Sequence, residues 1–260
     1  MERRNQPIAV FDSGVGGISV LREMVRLMPN ENFYFRGDSI HAPFGTRPFH
    51  EIQKLTLDNI AHMAQKGIKG IVIACNTATS VAIELLRNTY TDIPVVGIEP
   101  ALKPAVMESR HGKVLVMATP MTVHAEKFCR LMAQYQGEAE IIPLGCPGLM
   151  EFVEAGSLEG PRLQEYLKKL LTPKLLEGVN SIVLGCTHYP FVRGAIREIA
   201  GPGPHLIDGS EGTARELQRR LDEFDLLTDR KERGTVVFEE SIPDKIKLCR
   251  FLLERDVWAE

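Results

Sequence analysis

Two segments of the sequence end an apolar run with a cysteine that is followed by a small hydrogen-bonding residue. Residues 71–77 read IVIACNT, and residues 181–188 read SIVLGCTH. An apolar run without polar alternation is typical of a parallel strand buried on both faces, so Cys75 and Cys186 should end two such strands. In open α/β sheets the carboxyl ends of the strands carry the chemistry. We therefore expect the two cysteines to face each other across a cleft, and we interpret the chain as an enzyme.

Two thiols on opposite faces of one ligand suit the inversion of a stereocentre. One of them, as thiolate, removes a proton from carbon, while the other, as thiol, delivers a proton to the opposite face. We expect a helix directly after each cysteine, where free backbone N–H groups favour the thiolate and bind the carboxylates of a small anion. Asp12 and His188 are the natural candidates to manage the thiol protons. Asp12 is equally suited to cap a helix, and a lone histidine is often a core residue.

Neutral hydrogen-bonding side chains accompany these positions. They are Ser13, Asn76, Thr77 and Thr187. The remaining cysteines receive structural interpretations, because buried cysteine is a common core residue. Cys129 and Cys249 lie in amphipathic segments and are expected in the core, and Cys146, in a loop, is expected to pack near the cleft.

Neither a nucleotide nor a metal fits the sequence well. The glycine turn at residues 12–17 departs from the dinucleotide pattern at Ser19, and the charge of Asp12 would repel a pyrophosphate. No Gly-Lys-Ser/Thr follows the turn, so it is not a phosphate-binding P-loop. Zinc bound by the two cysteines and His188 lacks paired ligand spacing. We expect no cofactor and no metal.

Composition excludes several other classes of protein. The chain has 260 residues, is 44% hydrophobic and carries a formal net charge of −3, without a cluster of lysine and arginine that would bind nucleic acid. No apolar stretch approaches the ~18 residues that span a bilayer, so we expect no membrane association. Five cysteines without CxxC spacing suit a reducing compartment, and we expect a cytoplasmic protein.

Strands and helices alternate along the sequence, which predicts βαβ units and parallel sheets. The pattern restarts after residues 99–104, so we predict two α/β domains. The first comprises residues 1–98 and 209–260, and the second comprises residues 99–208. The second is expected to contain long helices over about residues 123–136 and 161–176.

Four sequence blocks, taken in order, resemble the glutamate racemases of the cofactor-independent aspartate/glutamate racemase superfamily. They are residues 12–17, 38–45, 74–77 and 184–190. The resemblance spans most of the chain. It implies two flavodoxin-like, doubly wound domains related by pseudo-twofold symmetry, with the active site in the cleft between them. It further implies interconversion of L- and D-glutamate for peptidoglycan synthesis, without pyridoxal phosphate or metal.

The resemblance also assigns roles to single residues. It implies that Cys75 takes the α-proton of D-glutamate and Cys186 that of L-glutamate, with Asp12 and His188 assisting their neighbouring thiols. Glu154 matches an acidic position near the site, although the sequence alone is equally consistent with a solvated helix residue. The implied substrate-binding and cleft-shaping residues are Ser13, Pro43, Phe44, Gly45, Asn76, Thr77, Thr119, Thr122, Thr187 and His188.

The chain departs from the family pattern at a few positions. Phe44 replaces a usual tyrosine, and Met121 replaces a residue that is often small. The first predicted strand begins almost at once, so we expect no amino-terminal extension linked to activation by a peptidoglycan precursor. Family habit implies a homodimer.

Two rival functions stay open at this level. A racemase or isomerase acting on aspartate, a hydantoin or maleate would share the paired cysteines. A non-catalytic protein that closes on a small anion, with the cysteines as a redox sensor, belongs to a different class.

Overall fold

Two parallel β-sheets form the framework of the computed structural model, which describes residues 2–109 and 111–255. The first sheet contains β1 (Ile8–Asp12), β2 (Phe33–Gly37), β3 (Gly70–Ile73), β4 (Val95–Gly97) and β9 (Val236–Glu240). The second contains β5 (Lys113–Ala118), β6 (Glu140–Gly145), β7 (Val179–Leu184) and β8 (His205–Asp208). The prediction of two parallel-sheet α/β units is confirmed.

Helices connect the strands, as parallel pairing requires. Those in the described ranges are α1 (Ile18–Leu27), α2 (Phe49–Ala64), α3 (Asn76–Thr89), α4 (Leu102–Ser109), α5 (Pro120–His124), α6 (Glu126–Gln134), α7 (Leu149–Glu154), α8 (Pro161–Leu170), α9 (Pro173–Leu176), α10 (Arg193–Ala200), α11 (Ser210–Glu223) and α12 (Ile246–Glu254). Across this part of the chain no helix combines the length and apolarity needed to cross a bilayer.

The two sheets repeat one strand order. The first runs β4-β3-β1-β2-β9 and the second β8-β7-β5-β6, so the first four strands of each half occupy corresponding places. The extra strand, β9, pairs with β2 at one edge and brings the carboxyl-terminal segment back to the first sheet. Because β3 and β7 correspond, the two cysteines that follow them stand at equivalent points of the two halves. The domain limits, 1–98 with 209–260 and 99–208, remain a prediction.

The central strands are buried as their apolar runs predict. Every residue of β1 and β3 is buried, and each large apolar side chain there contributes about 1.5–3 kcal/mol to stability. The edge strand β6 is only partly covered and contains Pro143, which an edge strand tolerates because one side of its backbone forms no ladder.

Some local expectations were wrong. The helix expected over residues 161–176 is two helices, because Pro173 begins α9 and Thr172 caps it through a hydrogen bond from the backbone N–H of Leu175. The segment expected to be helical to residue 136 is divided between α5 and α6, with Ala125 extended between them. Cys249 is buried as expected, whereas Cys129 is exposed on α6.

Candidate active site

A small cavity lies where the carboxyl ends of the two sheets meet. Its lining comprises Ser13, Phe44, Gly45, Cys75, Asn76, Thr77, Thr119, Met150, Cys186, Thr187 and His188. Ten of these were proposed from the sequence, and Met150 was not. The structure therefore brings both thiols to one cavity. Its volume is about 10 Å³, room for a single water molecule, so a ligand the size of an amino acid requires the cleft to widen.

Four of the proposed residues lie outside this lining. Asp12 is buried behind the cavity and Glu154 is largely buried there, Pro43 is half-buried in the loop before Phe44, and Thr122 is buried beside Thr119. The ring of Phe44 packs 6.4 Å from that of Phe11, centroid to centroid, so it joins the cavity wall to the core of the first sheet.

Cys75 occupies the amino-terminal cap of α3. Its Sγ accepts a hydrogen bond from the backbone N–H of Ala78 at 3.4 Å and lies 3.3 Å from the hydroxyl of Ser13. Burial, followed by the charge of Asp12, nevertheless raises the pKa of the Cys75 thiol to about 12. The helix start acts on Cys75 as expected, because the hydrogen bond from Ala78 lowers the pKa of the thiol, but burial outweighs this contribution in the closed arrangement.

Cys186 has a different neighbourhood. No α-helix follows it directly, contrary to expectation: residues 186–188 form a turn, and a 3₁₀ turn at Tyr189–Val192 precedes α10. The Sγ of Cys186 lies 3.6 Å from Nδ1 of His188, and Nε2 of His188 lies 2.7 Å from Oε1 of Glu154. A thiol, an imidazole and a carboxylate therefore form one chain of contacts.

Charge is concentrated on the Cys186 side of the cavity. Burial alone would lower the pKa of His188, but hydrogen bonds with Cys186 and Glu154 outweigh burial and raise it well above its usual value. Burial alone would raise the pKa of Glu154, but hydrogen bonds and charges from His188 and Lys245 lower it to about 2. Both shifts favour an imidazolium at His188 facing a carboxylate at Glu154. The Glu154 side chain is only 9% exposed, which excludes a solvated helix residue.

Asp12 reaches across to the second half of the molecule. Its carboxylate accepts hydrogen bonds from the backbone N–H of Gly14 at 2.9 Å and from the hydroxyl of Thr187 at 3.1 Å. Burial raises the pKa of Asp12 to about 6, although the charge of His188 acts in the opposite direction. The charge of Asp12 thus raises the pKa of Cys75, while its carboxylate is hydrogen-bonded to Thr187 in the loop that carries Cys186.

Three threonines join the halves at the other end of the cavity. The hydroxyl of Thr77, on α3, lies 3.2 Å from that of Thr119 and 3.3 Å from that of Thr122, and the latter two are 3.0 Å apart. Thr119 also caps α5 by accepting from the backbone N–H of Thr122 at 3.3 Å. This cluster explains why Thr122 is buried next to the cavity without lining it.

Glycines allow the loops of the first sheet to touch the second half. A Cβ added at Gly16 would overlap the imidazole of His188, and one added at Gly45 would lie 2.7 Å from Cβ of Thr119. The glycine turn after β1 thus permits close approach to a side chain, and a phosphate is not needed to explain it. In the described ranges no group of His, Cys, Asp and Glu side chains is arranged to hold a metal ion.

Three residues at or beside the site were not predicted from the sequence. Met150, on α7, has the apolar character of an ordinary core residue. The hydroxyl of Ser39 lies 3.3 Å from Oε2 of Glu154 and 3.0 Å from Oε1 of Glu240, and its place in the block at residues 38–45 was the available signal. Lys245 forms an ion pair with Glu154, and no local pattern distinguishes it from a surface lysine.

Comparison with known proteins agrees with this arrangement. The family model described as Asp/Glu/hydantoin racemase matches residues 19–217, and the chain belongs to this family. It is a racemase, and hence an isomerase. A glutamate racemase of Clostridium perfringens is 50% identical over 253 residues, covering 96% of this chain and 97% of the relative. One of Clostridium novyi is 48% identical over 256 residues, covering 97% and 99%.

Solved structures show the same fold. The glutamate racemase of Francisella tularensis, in complex with D-glutamate, superposes with a TM-score of 0.83 at 27% identity, covering 98% of this chain and 96% of that one. The Escherichia coli enzyme, in complex with L-glutamate and the activator UDP-MurNAc-ala, gives 0.82 at 28% identity, covering 95% and 94%. An aspartate racemase of Picrophilus torridus, at 16% identity and a TM-score of 0.56 over 85% of this chain and 98% of that one, shares the fold alone.

Proposed function

We propose that this chain is a glutamate racemase that uses Cys75 and Cys186 as its two acid–base groups. The observation that supports this most directly is that two buried thiols, from the corresponding strands β3 and β7, line one cavity. The curated relatives with about half of their residues identical are glutamate racemases, and two of the structures with this fold contain one or the other enantiomer of glutamate.

The cavity offers the groups that a dicarboxylic amino acid needs. Hydroxyls of Ser13, Thr77 and Thr187 and the amide of Asn76 are neutral, so they bind carboxylates without the cost of burying a further charge. The Oδ1 atom of Asn76 is buried and has no partner within the described residues. It is therefore suited to accept from the substrate ammonium group.

The reaction is a proton exchange at one carbon. With L-glutamate, the thiolate of Cys186 takes the α-proton, and the thiol of Cys75 donates its proton to the opposite face of the carbanion. The enzyme is left with a Cys186 thiol and a Cys75 thiolate, the state that reacts with D-glutamate. Burial and the charge of Asp12 favour a protonated Cys75, and Cys186 lies beside the His188–Glu154 pair, so we assign the first proton abstraction, from L-glutamate, to Cys186.

We further infer that the enzyme works in the cytoplasm, where it supplies D-glutamate for peptidoglycan synthesis. We also infer that it forms a homodimer. Expression of the chain in a bacterial strain that requires D-glutamate tests the biological role: growth without added D-glutamate is expected. Sedimentation of the purified protein tests the oligomeric state.

Exchange in deuterated water tests the reaction itself. The purified protein is incubated with L-glutamate, and separately with L-aspartate, while the α-proton signal is followed by NMR. Loss of the signal from glutamate, accompanied by formation of the D-enantiomer, is expected. Exchange with aspartate but not with glutamate would refute the substrate assignment.

A further inference from the structure

We propose that Lys245 is a positioning residue for the Cys186 side of the site, a role that rests on the proposed racemase function. Lys245 ends the 3₁₀ turn Pro243–Lys245, directly before α12, in the segment that returns to the first sheet with β9. Its Nζ bonds to Oε2 of Glu154, which ends α7 among the elements of the second sheet.

The two oxygens of Glu154 have separate partners. Oε1 accepts from the backbone N–H of Val15 at 2.8 Å and lies 2.7 Å from Nε2 of His188. Oε2 accepts from Lys245 and, at 3.3 Å, from the hydroxyl of Ser39. By occupying Oε2, Lys245 keeps Oε1 directed at His188. The side chains of Glu154 and Lys245 are 9% and 21% exposed, so the pair is largely shielded from water.

Other charges around Glu154 make this cation necessary. Glu240 shares Ser39 with Glu154, its own carboxyl being 3.0 Å from the same hydroxyl, and the carboxyl of Asp12 also repels the charge of Glu154. His188 and Lys245 are the cations that oppose them. Without Lys245, the pKa of Glu154 would rise and its Oε2 would lose a hydrogen-bond donor, so the carboxylate would be held less firmly against His188.

The test compares three variants of the full-length protein. Lys245→Met removes the charge while keeping the length of the side chain, and Lys245→Arg keeps the charge. Lys247→Met is the matched control, because Lys247 is exposed two residues further along the same segment. Racemisation is measured from both enantiomers, and thermal unfolding is measured alongside.

Alkylation of the two site cysteines supplies a readout that a purely structural role would not move. Each variant is treated briefly with iodoacetamide, and modification of Cys75 and Cys186 is quantified by peptide mass spectrometry. The ratio of Cys186 to Cys75 modification reports chemistry at Cys186, because wider opening of the cleft would accelerate both reactions together.

For Lys245→Met we expect kcat/KM to fall about tenfold, the loss of one charge-assisted hydrogen bond. The fall must be equal in both directions, because the enantiomers have equal free energy. We expect the Cys186-to-Cys75 ratio to fall about threefold. Lys245→Arg should restore most of both quantities, and Lys247→Met should leave both unchanged.

Unchanged racemisation in Lys245→Met, or an unchanged alkylation ratio at reduced activity, would overturn the proposal. Measurements are made below the unfolding temperature of every variant, so that a loss of fold does not decide the outcome. If the parent protein fails to racemise glutamate, the proposed function fails. The alkylation ratio would still show whether Lys245 acts on Cys186.

Discussion

The two sides of the cavity occupy corresponding places in the two sheets but differ in electrostatics. Cys75 caps α3, lies beside Ser13 and is affected by the negative charge of Asp12. Cys186 lies in a turn beside His188, which is paired with Glu154. The two halves therefore place their cysteines at equivalent positions but surround them with different charged groups. In the proposed mechanism one thiol holds its proton while the other has lost it, and the two roles exchange at each turnover, so the electrostatic difference decides which state is favoured without ligand.

The largest expected effect comes from removing one thiol at a time. Cys75→Ser should lower racemisation about 10³-fold or more, because serine is a much poorer acid and base at carbon. The variant should still exchange the α-proton of L-glutamate in deuterated water without inversion, since Cys186 remains. Cys186→Ser should do the same for D-glutamate.

Proton NMR combined with chiral chromatography distinguishes exchange from inversion. Cys129→Ser is the matched control, because Cys129 is exposed on α6 and does not line the cavity. If either site variant racemised glutamate at the parental rate, the substituted cysteine would not be one of the two acid–base groups.

A second prediction concerns the charge that supports His188. Glu154→Gln should lower kcat/KM about 10²-fold, because the buried imidazolium would lose its anion. Glu151→Gln, on the exposed face of the same helix, should be neutral. Equal activities in the two variants would contradict the role assigned to Glu154.

The third prediction concerns pH and the buried carboxyl of Asp12. Its pKa in the folded protein is about 6, above the value of 3.8 for an unperturbed aspartate, so the native state binds the proton more tightly. The stability contributed by this shift is fully present below pH 3.8 and is lost as the pH rises through 6. Asp12→Asn should therefore be more stable than the parent at pH 8, by about 3 kcal/mol, and this difference should shrink towards pH 4.

Urea unfolding at several pH values measures this difference directly. Asp222→Asn, at an exposed position on α11, controls for a general loss of negative charge. A stability difference for Asp12→Asn that does not change between pH 4 and pH 8 would show that burial does not raise the pKa of Asp12.

The smallest expected effect concerns the contact between the glycine turn and the Cys186 side. Gly16→Ala should lower kcat/KM about tenfold and stability by about 1–2 kcal/mol, because the new methyl group displaces His188 and Thr187. Gly203→Ala, where an added Cβ meets nothing within 4 Å, is the control. Steady-state kinetics and thermal unfolding check both variants, and a parental kcat/KM in Gly16→Ala would mean that this contact can relax freely.

The local sequence pattern was sufficient to predict the positions of the two cysteines that follow the strands. Cys75 and Cys186 lie where their apolar runs predict, since a strand buried on both faces must be apolar and must end at the sheet edge. Pattern was insufficient for the segment after Cys186, where a turn replaces the expected α-helix start. It also overestimated helix length at residues 161–176, because Pro173 was not treated as a helix start.

By itself the sequence determined the alternation of strands and helices, the parallel sheets, and the placing of two thiols with their hydroxyl and amide neighbours at the ends of corresponding strands. Tertiary structure alone decided that Glu154 contacts both His188 and Lys245, and that Asp12 accepts a hydrogen bond from Thr187. The reason is physical: strand formation depends on periodicities within a few residues. Burial and charge coupling depend on side chains that lie 91 and 175 residues apart in the chain and meet only when both sheets are in place.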